Sequence, residues 1–572
     1  MKRRTVLTLF LSCCFILGGI NFTQTKAEAV SKPIIASDFL KADGKQLKND
    51  YGRGNIVQLK GTNAGGYMIQ EFWMCPTNYS SDNNYKVNCQ MDIYKTLQER
   101  FGESKMRDLV NVYEDNYWTE KDFDNCESLG INCIRLPLWY MNFVDFDGNM
   151  LDNAFDRIDW FIQEAGKRGI YVIIDMHGAP GSQNGSDHSG IDGGNNKQGE
   201  SQFFWGNNAA ANQQLYYNIW AKIADHYKDN PTVAGYDLLN EPFCTYRYNS
   251  PYSDSDLHNL LWGIYDKAYD TIRNIDKNHV IIMEATWDPI DLPDPSNYGW
   301  DNVMYEYHNY LYDDYDNANG GQIENMKKKL NAITKADYNV PSYMGEFAYM
   351  NNTKAWSDGV KLLDDYGINW TTWTYKVTGT NNNWGLYNQS GLDPVNVSSD
   401  SEASIRNKWS KVGNSSPNTE LIKSIKQYFI DETKSLADGN YYISSFENKI
   451  VTSEDGGNSP LIANKNSYEG ARESFQLINN YDGTVSLKSN ANGKYVCAVL
   501  DESNQLIARS DKINDWEKFK LVKVSDSQYG LYCPSNNKYV KSDFNDNNNN
   551  GILKAVSDSI SGWEAFTFNS IK

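Results

Sequence analysis

The sequence lacks CxxC or any other Cys/His cluster at zinc-site spacing, has no Gly-x-Ser-x-Gly elbow, and contains no phosphate loop. Those absences exclude a structural zinc site, an α/β-hydrolase serine nucleophile and P-loop nucleotide chemistry. Positive charge is also short. Lys and Arg total 54 against 73 Asp and Glu, a net charge of −19. A field of that sign repels nucleic acid and anionic membranes and leaves a neutral polymer unaffected. A long apolar run occurs at the N-terminus, where Lys2, Arg3 and Arg4 precede residues 5–20 and Ala27-Glu28-Ala29 follows. That is the pattern of an export signal over residues 1–29. Gly18, Gly19 and Asn21 interrupt the run before it spans a bilayer, so the expectation is a secreted, extracellular protein with no membrane attachment after cleavage. Of nine cysteines, two fall in this segment, leaving Cys75, Cys89, Cys126, Cys133, Cys244, Cys497 and Cys533. Their odd number leaves at least one without an intrachain partner, and Cys75 with Cys89 could close a short loop.

Aromatic residues are abundant instead: 13% of the chain, with 39 Tyr and 16 Trp. Such rings pack cores, and they also receive the apolar face of a sugar while its hydroxyls bond at the edges. At 572 residues the chain exceeds a single ordinary core. From residue 30 to 431 short apolar strands alternate with amphipathic stretches. The strands are expected at 56–62, 133–138, 171–176, 235–240, 280–285, 303–307, 342–346 and 369–373. Helices are expected between them at 152–168, 212–228, 255–275 and 323–335. Eight strand-then-helix units predict an α/β fold, a (β/α)8 TIM barrel, over an open doubly wound sheet. Residues 178–208 form an unusually long Gly/Asn/Ser-rich connection, read as a functional loop.

Beyond residue 431 the pattern becomes repeated short strands. Glu473-Ser474-Phe475, Glu517-Lys518-Phe519 and Glu564-Ala565-Phe566 place Glu two residues before Phe, and Ala463, Ala508 and Ala555 precede each Phe at a nearly constant distance. Three copies over 437–572 predict an all-β unit with threefold equivalent core positions. The segment resembles a fascin- or ricin-like β-trefoil, which implies a possible carbohydrate-binding module.

Two segments carry chemistry. Asp237-Leu238-Leu239-Asn240-Glu241-Pro242 and Tyr343-Met344-Gly345-Glu346-Phe347 each put a glutamate after a short apolar strand. Two carboxylates facing each other across a barrel mouth are the minimum equipment for cleaving a glycosidic bond through a covalent intermediate. One protonates the leaving oxygen and the other attacks the anomeric carbon. Asn240 is placed to bond a sugar 2-hydroxyl.

The barrel segment resembles glycoside hydrolase family 5, with motifs in the family order. By that resemblance Glu241 is the acid/base, holding its proton near neutral pH, and Glu346 the nucleophile. Arg135 in Ile134-Arg135-Leu136-Pro137 supports the nucleophile, and His177 in Asp175-Met176-His177-Gly178 lines the substrate site. His308 and Tyr310 in Tyr307-His308-Asn309-Tyr310 orient the pair, and Trp373 in Thr371-Thr372-Trp373 forms a sugar platform. Trp139, Trp205, Trp287 and Trp384 are further platform candidates. The run from His177 to Gly185 resembles the corresponding loop of fungal exo-β-1,3-glucanases. Gly65-Gly66-Tyr67 and Glu71-Phe72-Trp73-Met74 depart from their first-strand signature. The expected partner is a β-glucan polysaccharide or oligosaccharide with β-1,3 or β-1,4 linkage, cleaved without metal or cofactor. The alternatives are a secreted non-catalytic glycan-binding protein on the same scaffold and a family 5 hydrolase acting on another β-glycan.

Overall fold

A computed structural model describes residues 33–571 apart from 81–84, 193–201, 244–252, 286–287, 315–316, 319, 380–383, 430–435, 437, 481–483, 500–503, 525–527, 543 and 545–549. The expected signal segment and Cys244 lie outside the described residues, as does Trp287.

Eight strands close into a parallel barrel: β1 (Lys60–Asn63), β2 (Cys133–Trp139), β3 (Tyr171–Gly178), β4 (Val233–Asp237), β5 (Val280–Glu284), β6 (Val303–Asn309), β7 (Ser342–Phe347) and β8 (Asn369–Thr372), with β8 pairing back onto β1. All eight fall on the expected apolar runs, and the four expected helices occur as Asp156–Lys167, Ala209–Tyr227, Asp254–Arg273 and Gly321–Ala336. The first strand is shorter than its apolar run, because residues 56–59 lead into the barrel rather than pairing within it.

The period-2 alternation of the strands divides the barrel interior into two halves. The lower half is apolar. Cys133, Ile173, Ala234, Val280, Ile282, Met304 and Tyr343 form one cluster with Leu40, Leu47 and Leu59. Leu40 and Leu47 flank and occupy an N-terminal hairpin, Lys41–Asp43 with Gln46–Lys48, that packs against this end. Two residues further along the strands, or three in β4, the inward positions become Arg135, Asp175, Asp237, Glu284 and Glu306, all fully buried. Burying so many ionisable groups is costly unless they satisfy one another. The same strand ends carry two irregularities. Between β2 and β3 the register slips so that Trp139 pairs Gly178 and His177 is the extra residue; between β6 and β7, His308 pairs Glu346 and Gly345 is extra. Bulges re-aim neighbouring side chains at barrel rims.

The C-terminal region is antiparallel. In chain order its strands are β9 (Gly439–Ser444), β10 (Ile450–Thr452), β11 (Ile462–Lys465), β12 (Phe475–Asn479), β13 (Val485–Ser489), β14 (Tyr495–Val499), β15 (Gln505–Ser510), β16 (Lys520–Lys523), β17 (Gln528–Cys533), β18 (Lys538–Ser542), β19 (Leu553–Ser557) and β20 (Phe566–Ser570). β9 pairs β12 and β20, β12 pairs β13, β16 pairs β17 and β17 pairs β20, while a bridge from Val485 to Phe519 joins β13 to the start of β16. Those contacts close a ring of six strands. Three hairpins, β10–β11, β14–β15 and β18–β19, complete the repeat. Val451, Val496 and Val540, Ala463, Ala508 and Ala555, and Phe475, Phe519 and Phe566 are all buried in one cluster, one of each per copy. The repeated glutamates are buried too. Glu517 accepts the Asn514 N–H at 2.8 Å and Glu564 the Ser561 N–H at 2.9 Å, so they pin turns. Trp516 is exposed, and the Trp563 ring lies under the Lys541 ammonium.

The described cysteines are all buried. Cys75 and Cys89 do not form the expected loop closure: the Cys75 thiol donates instead to the Gly66 carbonyl, and Cys89 immediately precedes the helix Gln90–Phe101.

Candidate active site

Arg135 lies at the centre of the upper barrel. One Nη donates to Glu346 Oε1 at 2.9 Å and to Asn63 Oδ1 at 3.2 Å, the other to Asn240 Oδ1 at 2.9 Å, and Nε donates to Asp237 Oδ2 at 2.8 Å. Asp175 is 3.1 Å away and Glu306 3.3 Å. One guanidinium cannot neutralise so many carboxylates. Burial, reinforced by repulsion from neighbouring acids such as Asp237, pushes Asp175, Glu284 and Glu306 well above the usual carboxylate range, and they hold protons.

Glu346 extends from β7, where the extra Gly345 shifts the register. A Cβ on Gly345 would lie 1.6 Å from Glu306 Oε1, so a side chain there would collide with the buried acid. The second oxygen of Glu346 accepts the Tyr310 hydroxyl at 2.9 Å. Both oxygens are thus held by donors, which fixes the direction in which the side chain faces the cleft.

Glu241 does not sit on a strand end. β4 stops at Asp237, and Glu241 lies in the following turn at φ +42°, inside the left-handed region. A backbone of this kind is uncommon for a non-glycine residue and clusters at functional sites. Its N–H is held by Glu284 Oε2 at 2.6 Å. The carboxylate lies between two imidazoles: His308 Nδ1 is 2.9 Å from Oε1, and His188 Nε2 is 3.3 Å from Oε2. Burial opposes its charge, yet hydrogen bonding and attraction from His188 and His308 outweigh it and draw Glu241 well below the usual carboxylate range. Its surroundings thus oppose the expected retention of a proton near neutral pH.

His308 projects from β6 with Nε2 3.3 Å from Glu306. Burial disfavours its charge, but Glu284, Glu346 and Glu241 more than offset that and raise it to about 9. His177 behaves in the opposite way. Its Nδ1 meets Asp175 at 2.8 Å and burial lowers it to about 3, so the ring is neutral, stacked on Trp373 with centroids 5.4 Å apart. One oxygen of Glu241 and one of Glu346 lie within 4.8 Å of each other and of a His308 nitrogen.

All eight residues singled out in the sequence meet in this cluster, and Glu241, Glu346, His177, Asn240, His308, Tyr310 and Trp373 line a cleft of about 900 Å³. Arg135 lies beneath its floor. Nine lining residues were not anticipated as site residues, Glu71, Trp73, His188 and Tyr312 among them. Trp73 Nε1 donates to Glu71 Oε2 at 2.7 Å, and burial, against the pull of His188 and Trp73, pushes Glu71 up to about 7. Trp73, Trp384, Tyr312 and Tyr310 form an aromatic wall, with Trp384 5.1 Å from Trp73 and 5.7 Å from Tyr310. Of the other tryptophans considered, Trp139 is fully buried behind Gly178 and Gly190, and Trp205 packs on Phe243. Trp139 is thus unavailable as a platform, and Trp205 does not line the cleft. Part of the 178–208 loop, Ser182, Gln183, Asn184 and Ser189, is buried against the site, whereas residues 193–201 lie outside the described residues.

Comparison with known proteins bears on the same segment. Residues 95–379 match the family model described as Cellulase (glycosyl hydrolase family 5). A beta-xylosidase of Phanerodontia chrysosporium is 31% identical over 280 residues, 48% of this chain and 52% of that protein. A glucan 1,3-beta-glucosidase of Candida oleophila is 29% identical over 279 residues, 47% of this chain and 59% of that protein. The chain thus spans between half and three fifths of these relatives' lengths. Among solved structures, endo-glycoceramidase II from Rhodococcus sp. aligns over 93% of this chain and 100% of its own at 14% identity and a TM-score of 0.47.

Proposed function

We propose that this chain, which carries a cellulase domain of glycosyl hydrolase family 5 over residues 95–379, is a secreted retaining O-glycosyl hydrolase cleaving β-glucan by double displacement. The observation that carries the reading is the carboxyl pair, with oxygens of Glu241 and Glu346 within 4.8 Å. A retaining enzyme needs about 5–5.5 Å between its two carboxyl groups, whereas an inverting one needs about 6.5–9.5 Å to admit a water.

Glu346, its oxygens held by Arg135 and Tyr310, attacks the anomeric carbon. The leaving oxygen takes a proton from Glu241. Once Glu346 is esterified its negative charge is gone, and Glu241 then removes a proton from the water that releases the sugar. His177 and Trp373 present a neutral stacked pair to the glycone, and Asn240, oriented by Arg135, faces the 2-hydroxyl. The aromatic wall of Trp73, Trp384 and Tyr312 is suited to further sugar faces. β-1,3 and β-1,4 linkage, and exo or endo action, remain as alternatives within this reading; the naming of one relative as a beta-xylosidase adds xylan to the substrates to be tried.

We assign residues 30–431 to the hydrolase barrel and 437–572 to a β-trefoil, supported by the six-stranded ring, three hairpins and threefold core. Its role would be to tether the enzyme to polymer and raise local substrate concentration.

The test is chromatography of products after incubation with laminarin, carboxymethyl cellulose, lichenan, pustulan and xylan, with Glu346→Gln as control. Glucose alone from laminarin identifies an exo-β-1,3-glucanase, and mixed oligosaccharides from cellulose or lichenan an endo-β-glucanase. Release from none of the glucans overturns the β-glucan reading.

A further inference from the structure

The acid/base as described poses a problem. Beside His188 and His308, Glu241 is drawn toward its ionised form, and an ionised carboxylate has no proton to give. Oε1 is occupied by His308 Nδ1 at 2.9 Å. The proton for the leaving oxygen must therefore sit on Oε2, the oxygen that His188 Nε2 approaches at 3.3 Å.

The orientation of Asn184 settles which of the two holds that proton. Its Oδ1 accepts the Ser186 N–H at 3.0 Å, and its Nδ2 reaches the Glu241 carbonyl at 3.4 Å, so the amide has its nitrogen toward the site. The same Nδ2 lies 2.7 Å from His188 Nε2. An amide N–H pointed at a ring nitrogen requires that nitrogen to be an acceptor, because two donors cannot share the contact. Asn184 is fully buried and cannot turn away to solvent.

We propose that Asn184 and His188 act as a positioning pair that places the acid's proton on Glu241 Oε2. Two arrangements compete: a protonated His188 ring beside ionised Glu241, and a neutral His188 ring beside protonated Glu241. They differ by the transfer of one proton, in which an Nε2–H bond breaks and an Oε2–H bond forms. The Asn184 amide penalises the first arrangement and bonds to the second. In the free enzyme the Nε2 lone pair is taken chiefly by the Asn184 N–H at 2.7 Å, Oε2–H stands 3.3 Å off with at most a minor share of it, and in the substrate complex the glycosidic oxygen accepts that proton's hydrogen bond. Glu241, Glu71, His177 and Tyr312 face the His188 ring, and Asp187 adjoins it in the chain. The two acids Glu71 and Asp187 favour the charged ring, which makes the Asn184 contact the opposing influence.

The inference rests on the retaining-glycosidase reading but has a readout independent of it. The chain has six histidines, so in protein labelled with ¹⁵N-histidine the His188 ring can be assigned by its loss in His188→Gln. The expected spectrum at neutral pH shows Nε2 as an unprotonated acceptor nitrogen, turning to a protonated one in Asn184→Asp, whose carboxylate accepts from Nε2–H. A protonated Nε2 in the wild type overturns the proposal whatever the enzyme's activity. The kinetic arm compares phenyl and 2,4-dinitrophenyl β-glucosides. Asn184→Asp is expected to lose at least tenfold more kcat/KM on the phenyl glycoside, which needs an acid, than on the dinitrophenyl one. The double variant Asn184→Asp/His188→Gln should recover most of that difference, since no imidazole remains to take the proton. Equal losses on both substrates, or no recovery in the double variant, would assign the pair a merely structural role. A wild type inactive on both glycosides, with the expected spectrum, would overturn the glycosidase reading and leave only the tautomer.

Discussion

Glu284 offers a sharp test of how charge is distributed beneath the cleft. It is fully buried, and burial with repulsion from Glu306 and Glu241 outweighs the pull of His308, so its proton affinity lies well above 4.5. A carboxylic acid at neutral pH is matched in shape by an amide, and Glu284→Gln keeps an oxygen for the Glu241 N–H now held at 2.6 Å. Glu284→Ala leaves that N–H unpaired, at about 1–3 kcal/mol. It also releases the strained Glu241 turn, and a displacement of about 1 Å in a catalytic group costs about 100-fold in rate. A raised carboxyl pKa contributes stability that is complete below the unfolded value and is lost as pH climbs through the folded one. Wild type should therefore lose stability relative to Glu284→Gln by about 1.4 kcal/mol per pH unit between 4.5 and the folded pKa. The gap should widen from pH 5 to pH 7. Urea unfolding of both proteins at the two pH values measures it, with turnover assayed alongside. A gap that stays flat with pH, or a Gln variant as damaged as the Ala variant, would mean that Glu284 is ionised and the charge assignment is wrong.

Other outcomes are expected from the same geometry. Glu241→Gln and Glu346→Gln should each abolish turnover of unactivated polymer with circular dichroism and melting unchanged; normal turnover in either removes the catalytic pair. The charge on His308, held to about 9, is fully present below 6.5 and lost as pH rises through 9, so kcat/KM should fall along that limb and the fall should move in His308→Asn. Tyr310→Phe deletes a hydroxyl bond to a charged oxygen, worth about 1.5–3 kcal/mol, and should cut kcat/KM by about 10–100-fold; an effect under twofold would disconnect Tyr310 from Glu346. Gly345→Ala drives a methyl into Glu306 and should cost about 1–3 kcal/mol together with most activity, read by thermal melting and assay.

The barrel was legible because each strand is a short apolar run followed by a long amphipathic one, and the catalytic candidates because their flanking residues are distinctive. Glu284 and Glu306 were not legible, since a single acid within Val280–Glu284 or Val303–Asn309 looks like the solvent-facing member of an alternation; closure of the barrel turns those positions inward. His188 was hidden for another reason. It lies in a polar loop with no periodicity, and only the fold brings it to Glu241. Glu71 and Trp73 sit just after a strand whose motif departs from the family pattern, which drew attention away from their position. The C-terminal repeat was readable from its spacing, though the roles of its markers were not: Glu473, Glu517 and Glu564 are all buried, and Glu517 and Glu564 pin turns, a role that their polarity would not suggest. The cysteine loop failed because proximity in sequence says nothing about where two thiols point.

The division of the barrel interior into an apolar lower half and an ionisable upper half has a consequence for how such a protein can change. Arg135 lies within 3.3 Å of carboxylate oxygens of Asp175, Asp237, Glu306 and Glu346, so substituting any single member alters the charge that the others face. Stepwise innovation is therefore blocked at the floor of the cleft. Variation is cheap in the aromatic wall of Trp73, Trp384 and Tyr312, where a replaced side chain disturbs only its immediate contacts. New specificities should arise along that rim, with the ionisable floor inherited intact.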